Sequence, residues 1–188
     1  MGVNIAGPLR ADQLQQLEMS SELNNFRPYE RQKLALLKIT TLPQGRIYAA
    51  CYLDTIIGYV AFHAPDPDSR YARHPLVLEL GGVEVARSWR RRHVGSALLK
   101  YIFSDQFFED YIVITTEYYR HWDLAGNNMD VWQYRRMLDR FFGQVGFIPQ
   151  ATSDPDIIEH PANVLMARLG SRVDLESLMF FEDILKQE

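Results

Sequence analysis

The chain has one cysteine, Cys51, so a disulfide within the chain is excluded and a reducing compartment fits. Flanked by Ala50 and Tyr52 in an alternating run, that thiol reads as a buried structural group in preference to a nucleophile. No apolar run reaches the length of a membrane span, and no secretory leader opens the sequence, so the expected location is the cytoplasm. Internal repeats and low-complexity tracts are also missing. Net positive charge is lacking: at −4, general nucleic-acid binding is not expected. What the chain does hold is core-forming material. Of its 188 residues, 47% are hydrophobic and 12% aromatic, which suits a folded domain and excludes a disordered tail.

Against that acidic background stands one basic segment, VEVARSWRRRHVGSALLK, from Val83 to Lys100. Val83 and Val85 alternate with Glu84 as in a half-buried strand, whereas Val94, Ala97, Leu98 and Tyr101 recur at helical spacing. The backbone N–H groups of Arg90, Arg91, Arg92, His93, Val94, Gly95 and Ser96 then precede or open a helix. They can face a pyrophosphate, helped by the helix dipole and three arginines. An ordinary basic surface turn is the bland alternative.

The surroundings organise around that segment. Arg46 to Tyr52 alternates, turns near Leu53 and Asp54, and returns from Ile56 to Phe62 as a hairpin. YIVITTEYY supplies a further strand, VWQYRRMLDRFF a helix and VGFIP another strand start. Ala11 to Met19 and Tyr29 to Ile39 carry Leu14/Leu17 and Leu34/Leu37 at helical spacing, separated by the turn-prone SSELNNFRP. APDPDSRYARHP reads as an exposed loop, either touching substrate or merely connecting. Asp174 to Lys186 reads as an amphipathic helix capped by Asp174, set against the core or a partner.

The segment 83–100 resembles the acetyl-CoA loop of the GNAT acetyltransferases, Arg/Gln-x-x-Gly-x-Gly/Ala after a Val-x-Val strand end. Two registers fit, one opening at Arg90 and one at Arg92. The first is favoured because Leu98 and Leu99 stand where the family has a Leu-Leu pair. His93 then occupies the first glycine position, and a positive φ there would cost histidine roughly 1 kcal/mol. The hairpin with Gly58 and the Gly146–Phe147 pair also match family features. GYVAFHAPDPDSR, ELGGVEV, YIVITTEYYRHWDL, DVWQYRR and HPANVLMARLG resemble the family's bacterial acetoin-utilisation branch, and the likeness spans most of the chain. It implies an α/β fold with a mixed, mostly antiparallel sheet flanked by helices and splayed at the acetyl-CoA site. It implies a GNAT domain over 1–170 with a C-terminal helix over 171–188. It also implies acetyl transfer from acetyl-CoA to a lysine of acetyl-CoA synthetase, which switches that enzyme off.

A lysine amine, with a pKa of roughly 10.4, must lose a proton before attacking a thioester, so a carboxylate base is needed. Glu84, on the strand leading into the loop, is the first candidate; pairing with a nearby arginine is its structural alternative. Glu79, earlier on the strand, and Glu117, at the end of ITT, are the rivals. Many family members use a tyrosine acid four residues before Gly-Phe, where this chain has Phe142, so Tyr118 or Tyr119 is left for that role. His121 and Asp123 flank Trp122 without a third metal ligand, and no metal is expected. His160 to Asn163 is expected to organise the turn into the strand Val164 to Arg168. Arg168 and Gly170 close that strand, near the acceptor groove of the fold. Trp132, Tyr134, Met137, Leu138 and Phe141 read as a helix core face, and YIFSDQFFEDY as either core or a homodimer surface. Two other functions remain open: a small-molecule amine N-acetyltransferase, favoured by an acidic acceptor pocket, and a non-catalytic acyl-CoA sensor, favoured by His93 and Phe142.

Overall fold

The computed structural model describes residues 2–187. Its contacts divide the chain into two compact units, one running up to His63 and resuming over Leu80–Ser104, the other comprising Ala64–Glu79 and the chain from Asp105 onward.

The first unit contains β1 (Asn4–Ala6), α1 (Ala11–Gln16), β2 (Glu18–Met19), α2 (Tyr29–Ile39), β3 (Arg46–Tyr52), β4 (Thr55–His63), the C-terminal part of β5 (Val77–Val85) and α3 (Val94–Ile102). Its strands lie in the order β1-β3-β4-β5, with β2 added to β4. β1 and β3 pair antiparallel, as do β3 and β4, while β2 runs parallel to β4. The hairpin turns through Leu53 at φ 54°, and β4 is buried from Ile56 to Phe62. Gly58 permits a close approach: a Cβ there would stand 3.2 Å from the carbonyl oxygen of Glu84. Leu14, Leu36, Ile47, Ile56, Phe62, Leu98 and Ile102 have no exposure, and each such side chain contributes about 1.5–3 kcal/mol through burial.

Two sequence expectations need correction here. The helix expected over Ala11 to Met19 stops at Gln16, because Glu18 and Met19 leave it to pair with Thr55 and Ile56. In α2 the bounds agree, but the face does not. Leu34 is 66% exposed, and the buried pair is Gln32 and Leu36.

The second unit holds the start of β5, β6 (Ile112–Glu117), α4 (Leu124–Asn127), α5 (Val131–Gly143), β7 (Ile148–Gln150), α6 (Pro155–Ile158), β8 (Val164–Leu169) and α7 (Leu175–Lys186). The order is β5-β6-β8-β7. β5 and β6 are parallel, with Val77 to Glu79 opposite Ile112 to Ile114; β8 is antiparallel to both β6 and β7. Thus each unit carries a mixed, mostly antiparallel set of strands with helices. α7 is capped by Asp174, which accepts from the Ser177 N–H, and its Phe181, Ile184 and Leu185 join Ile112, Ile114, Leu165 and Ala167 in one core cluster. Gly146, at φ 90°, turns the chain from α5 toward β7 in a conformation that a Cβ would strain.

Other expectations shift as well. The segment read as an exposed loop contains a 3-10 turn, Arg70–Arg73, and buries Tyr71 and His74. Trp132 is 47% exposed, so the core face of α5 runs through Leu138 and Phe142 instead. Of YIFSDQFFEDY, Ile102 and Phe108 are buried and Tyr101 is exposed. Arg168 is held by the Glu109 carboxylate and the Val145 carbonyl. A Cβ on Gly170 would strike the Glu109 carbonyl at 2.4 Å; both residues therefore fasten the strand end. No helix of the described residues is long and apolar enough to cross a membrane.

Candidate active site

β5 delivers the basic loop. After Val85 the chain is pinned by Ala86, buried and donating to the Ile57 carbonyl at 2.8 Å, then makes a 3-10 turn over Arg87–Trp89. Arg91 and His93 both take φ 60°, and His93 is the N-cap of α3 without a side-chain cap bond. The position assigned to the loop's first glycine is therefore left-handed, and histidine carries a strain of about 1 kcal/mol there. The first bond into α3 runs from the Ala97 N–H to the His93 carbonyl, 2.9 Å. Among the described residues, the N–H groups of Val94 and Gly95 have no protein acceptor. They open the positive end of a helix whose approach is lined by exposed Arg91 and Arg92, a setting that fits a phosphate-bearing ligand.

Neighbouring residues hold the loop in shape. Glu22 accepts through one oxygen from both the Ser88 N–H, 2.9 Å, and the Ser88 hydroxyl, 2.8 Å. Those bonds, the backbone one foremost, hold the Glu22 carboxyl below its ordinary range. Arg90 Nε donates to the Val85 carbonyl at 3.2 Å. Trp89 lies against Tyr52 with ring centroids 5.0 Å apart and carries the Arg92 guanidinium 5.2 Å from its own centroid.

Immediately before the loop, strand alternation turns Glu84 inward, to 5% exposure, while Val83 and Val85 stay half-buried. Its Oε1 accepts from the Asn25 backbone N–H at 2.8 Å and its Oε2 from the Tyr59 hydroxyl at 3.0 Å. The carboxylate is thus bonded to these two groups, while Arg90 contributes through its charge. Burial pushes the Glu84 carboxyl above its ordinary range; the Asn25 and Tyr59 bonds and the Arg90 charge pull the other way. Burial and the Glu84 charge raise Tyr59 far more, so the shared proton stays on the phenol. A desolvated carboxylate with a fixed orientation is what a general base requires.

In the second unit, Glu79 and Tyr118 line one cavity of about 630 Å³, together with Thr116, Asp66, Asp154 and Asp156. Burial raises the Tyr118 phenol. Glu117, one residue on from Thr116, faces the other side of β6. It accepts from the Thr115 hydroxyl at 3.1 Å, and burial pushes it to about 7. The residue as a whole keeps some surface, so the burial that counts is that of its carboxylate. The indole of Trp122 acts on this carboxylate without a hydrogen bond of good geometry and stacks on Tyr134 at 5.1 Å. Asp123 caps α4 by accepting from Gly126 N–H, and His121 lies edge-on to Tyr118. His160 accepts from the Ala162 N–H and stacks on Tyr119 at 4.0 Å. Phe142 has no exposure. Among the described residues no group of three potential ligands is placed to hold a metal.

Sequence reasoning missed Asn25 and Tyr59, the two donors on Glu84, and the Glu22–Ser88 clamp. Asn25 acts through its main chain, which leaves no residue-type signal. Tyr59 sits in an apolar run that reads as plain core.

The acetyltransferase (GNAT) family model matches residues 11–128. The chain belongs to the GNAT acetyltransferase family. Within this GNAT group it is 44% identical over 182 residues to the acetoin utilization protein AcuA of Bacillus licheniformis, covering 96% of this chain and 87% of the relative. It is 43% identical over 180 residues to the protein of that name from Bacillus subtilis, covering 95% and 86%. A crystal structure of an acetoin utilization protein from Exiguobacterium sibiricum superposes with a TM-score of 0.95 at 39% identity, over 98% of this chain and 88% of that one. At 15% identity the fold is shared, with a TM-score of 0.58 over 90% of each chain, by a GNAT phosphinothricin acetyltransferase from Sinorhizobium meliloti in complex with AcCoA. As a GNAT enzyme the protein is an N-acetyltransferase with acetyl-CoA as co-substrate.

Proposed function

We propose that the protein moves the acetyl group of acetyl-CoA onto a lysine of acetyl-CoA synthetase and so inactivates it, in the setting of acetoin and acetate metabolism. Supporting this reading are the AcuA-named relatives and, above all, the buried Glu84 held by Asn25 and Tyr59 at the foot of the basic loop. Glu84 takes a proton from the lysine ammonium; the amine then attacks the thioester carbonyl, the C–N bond forms, the C–S bond breaks, CoA leaves as thiolate and the nitrogen's second proton is released to solvent. The loop from Arg90 to Ser96, through the N–H groups of Val94 and Gly95 above all, is assigned to the CoA side with the ends of β5 at Val83 and Val85; the Arg90 N–H itself is taken by the Arg87 carbonyl at 3.2 Å. The thiolate needs little help as a leaving group; Tyr118, kept protonated by burial, is the candidate acid of the second unit's own cavity. Glu79 is the rival base. Glu117 faces away from the cavity that Glu79 and Tyr118 share.

A small-molecule amine acetyltransferase is the second reading, favoured by the carboxylates lining the cavity of the second unit. The deciding experiment incubates the protein with acetyl-CoA and the host's acetyl-CoA synthetase, wild type beside Glu84→Gln, and follows lysine acetylation and synthetase activity. Modification that collapses in the variant supports both acceptor and base. Modification that survives moves the base to Glu79. No modification, with turnover on free amines, supports the second reading, and CoA binding without any turnover supports a sensor.

A further inference from the structure

Two aromatic rings beside the basic loop lie outside the core. Tyr52, the last residue of β3, is 36% exposed, and Trp89, the last residue of the 3-10 turn before the loop, is half-buried. They pack on each other with centroids 5.0 Å apart and planes tilted by 43°. The main chain holds Trp89 as well. Its N–H donates to the Ala86 carbonyl at 2.8 Å, Ser88 before it is clamped by Glu22, and Arg90 after it reaches back to the Val85 carbonyl. The indole is therefore braced by Tyr52 and fixed along the chain.

Over this ring lies the Arg92 guanidinium, its central carbon 5.2 Å from the centroid. Arg91 stands between them at φ 60°, so the chain turns there and residue 92 comes back over residue 89. Arg92 is exposed, and among the described residues its side chain has neither an ion-pair partner nor a hydrogen-bond acceptor. An aromatic face attracts the cation without taking up its N–H donors. Those donors stay available to an anion, while a long side chain that would otherwise sample many rotamers is already partly ordered. Just beyond, the Val94 and Gly95 N–H groups open α3 with no protein acceptor. A guanidinium next to such a helix start suits the several oxygens of a phosphate.

We propose that Trp89 is a positioning residue of the cofactor loop: braced by Tyr52, its ring holds the Arg92 guanidinium beside the open N–H groups of α3, where Arg92 pairs with a phosphate of acetyl-CoA. The inference rests on the assignment of this loop to the CoA side and deepens it by naming the residue that acts through another. Arg92 supplies the charge. Trp89 supplies the place at which that charge waits.

Calorimetric titration of the full chain with CoA tests this. At low salt Trp89→Leu is expected to raise the CoA Kd about two- to fivefold and Arg92→Leu by at least as much. The double variant is expected to lose no more than Arg92→Leu alone, because Trp89 acts through Arg92. Trp89→Phe, which keeps an aromatic face, is expected to recover most of the loss, and all these differences should shrink at about 1 M salt. Losses that add in the double variant overturn the proposal, since Trp89 would then support the loop without Arg92. An unchanged Kd in either single variant overturns it too. Dephospho-CoA, which lacks the 3′-phosphate, tells which phosphate is held: equal losses with both ligands put Arg92 on the diphosphate, and losses confined to CoA put it on the 3′-phosphate. His93→Val alters the cap of α3 while leaving Trp89 and Arg92 in the chain, and so separates two failures. If it weakens CoA binding and Trp89→Leu does not, the positioning role alone is overturned; if neither does, the assignment of the loop to CoA falls with it.

Discussion

The Tyr59 hydroxyl donates to Glu84 Oε2 across 3.0 Å, joining β4 to β5 through two residues that are 0% and 5% exposed. This bond favours the ionised carboxylate, opposing the burial that disfavours it. Tyr59→Phe is therefore expected to raise the pKa of Glu84 further, so the ascending limb of kcat/KM against pH moves to higher pH. Glu84→Gln is expected to abolish that limb and lower the rate on the order of 10²- to 10⁴-fold. A pH profile of the two variants beside wild type checks both; an unmoved limb in Tyr59→Phe would assign it to another group.

His93 at φ 60° makes the loop sensitive to side-chain shape. A β-branched residue is poorly tolerated there, so His93→Val is expected to lose about 1–2 kcal/mol of stability and weaken CoA binding. His93→Gly relieves the strain but adds freedom to the unfolded chain, and is expected to stay within about 1 kcal/mol of wild type. Thermal melts and calorimetric titration with CoA measure the two effects.

Glu22 is the outside brace of the loop through both donors of Ser88. Removing it in Glu22→Ala is expected to raise the acetyl-CoA Kd by roughly three- to tenfold, the range of one or two net hydrogen bonds, with the rate at saturating acetyl-CoA preserved. Loss of that rate at saturation would place Glu22 in the chemistry instead.

Glu117 provides a pH signature of stability. Its carboxyl is raised from 4.5 to about 7, so between those values the folded state keeps a proton that the unfolded chain has released. Stability contributed by this group is thus full below pH 4.5 and is lost as pH rises to about 7. Glu117→Gln should flatten the fall in Tm between pH 5 and pH 8 in chemical terms set by that one group; an equally steep fall in the variant would show that other residues produce it.

Much of the fold around the candidate site was legible, and where legibility stopped has physical causes. Val83 to Lys100 combines two periodicities across a turn, and the structure places a strand, a loop and a helix there. The end of α1 was not readable, since what stops it at Gln16 is pairing of Glu18 with Thr55, a residue far along the chain. Gln32 was invisible for a related reason. A polar residue beside Leu34 and Leu37 reads as the wet side of an amphipathic helix, and only packing against β4 turns Gln32 and Leu36 inward and leaves Leu34 outside. The donors on Glu84 come from residues 25 and 59, and no local pattern joins them to position 84.

The two left-handed residues of the loop carry a kinetic consequence. Arg91 and His93 both lie in the left-handed region, which restricts the backbone shapes open to the loop between Trp89 and α3. Held that way, spent CoA and fresh acetyl-CoA present the same end to the same donors, and the loop cannot tell them apart. On the proposed assignment of this loop to the CoA side, product inhibition by CoA, competitive with acetyl-CoA, is expected, and turnover then follows the ratio of the two as much as the amount of either.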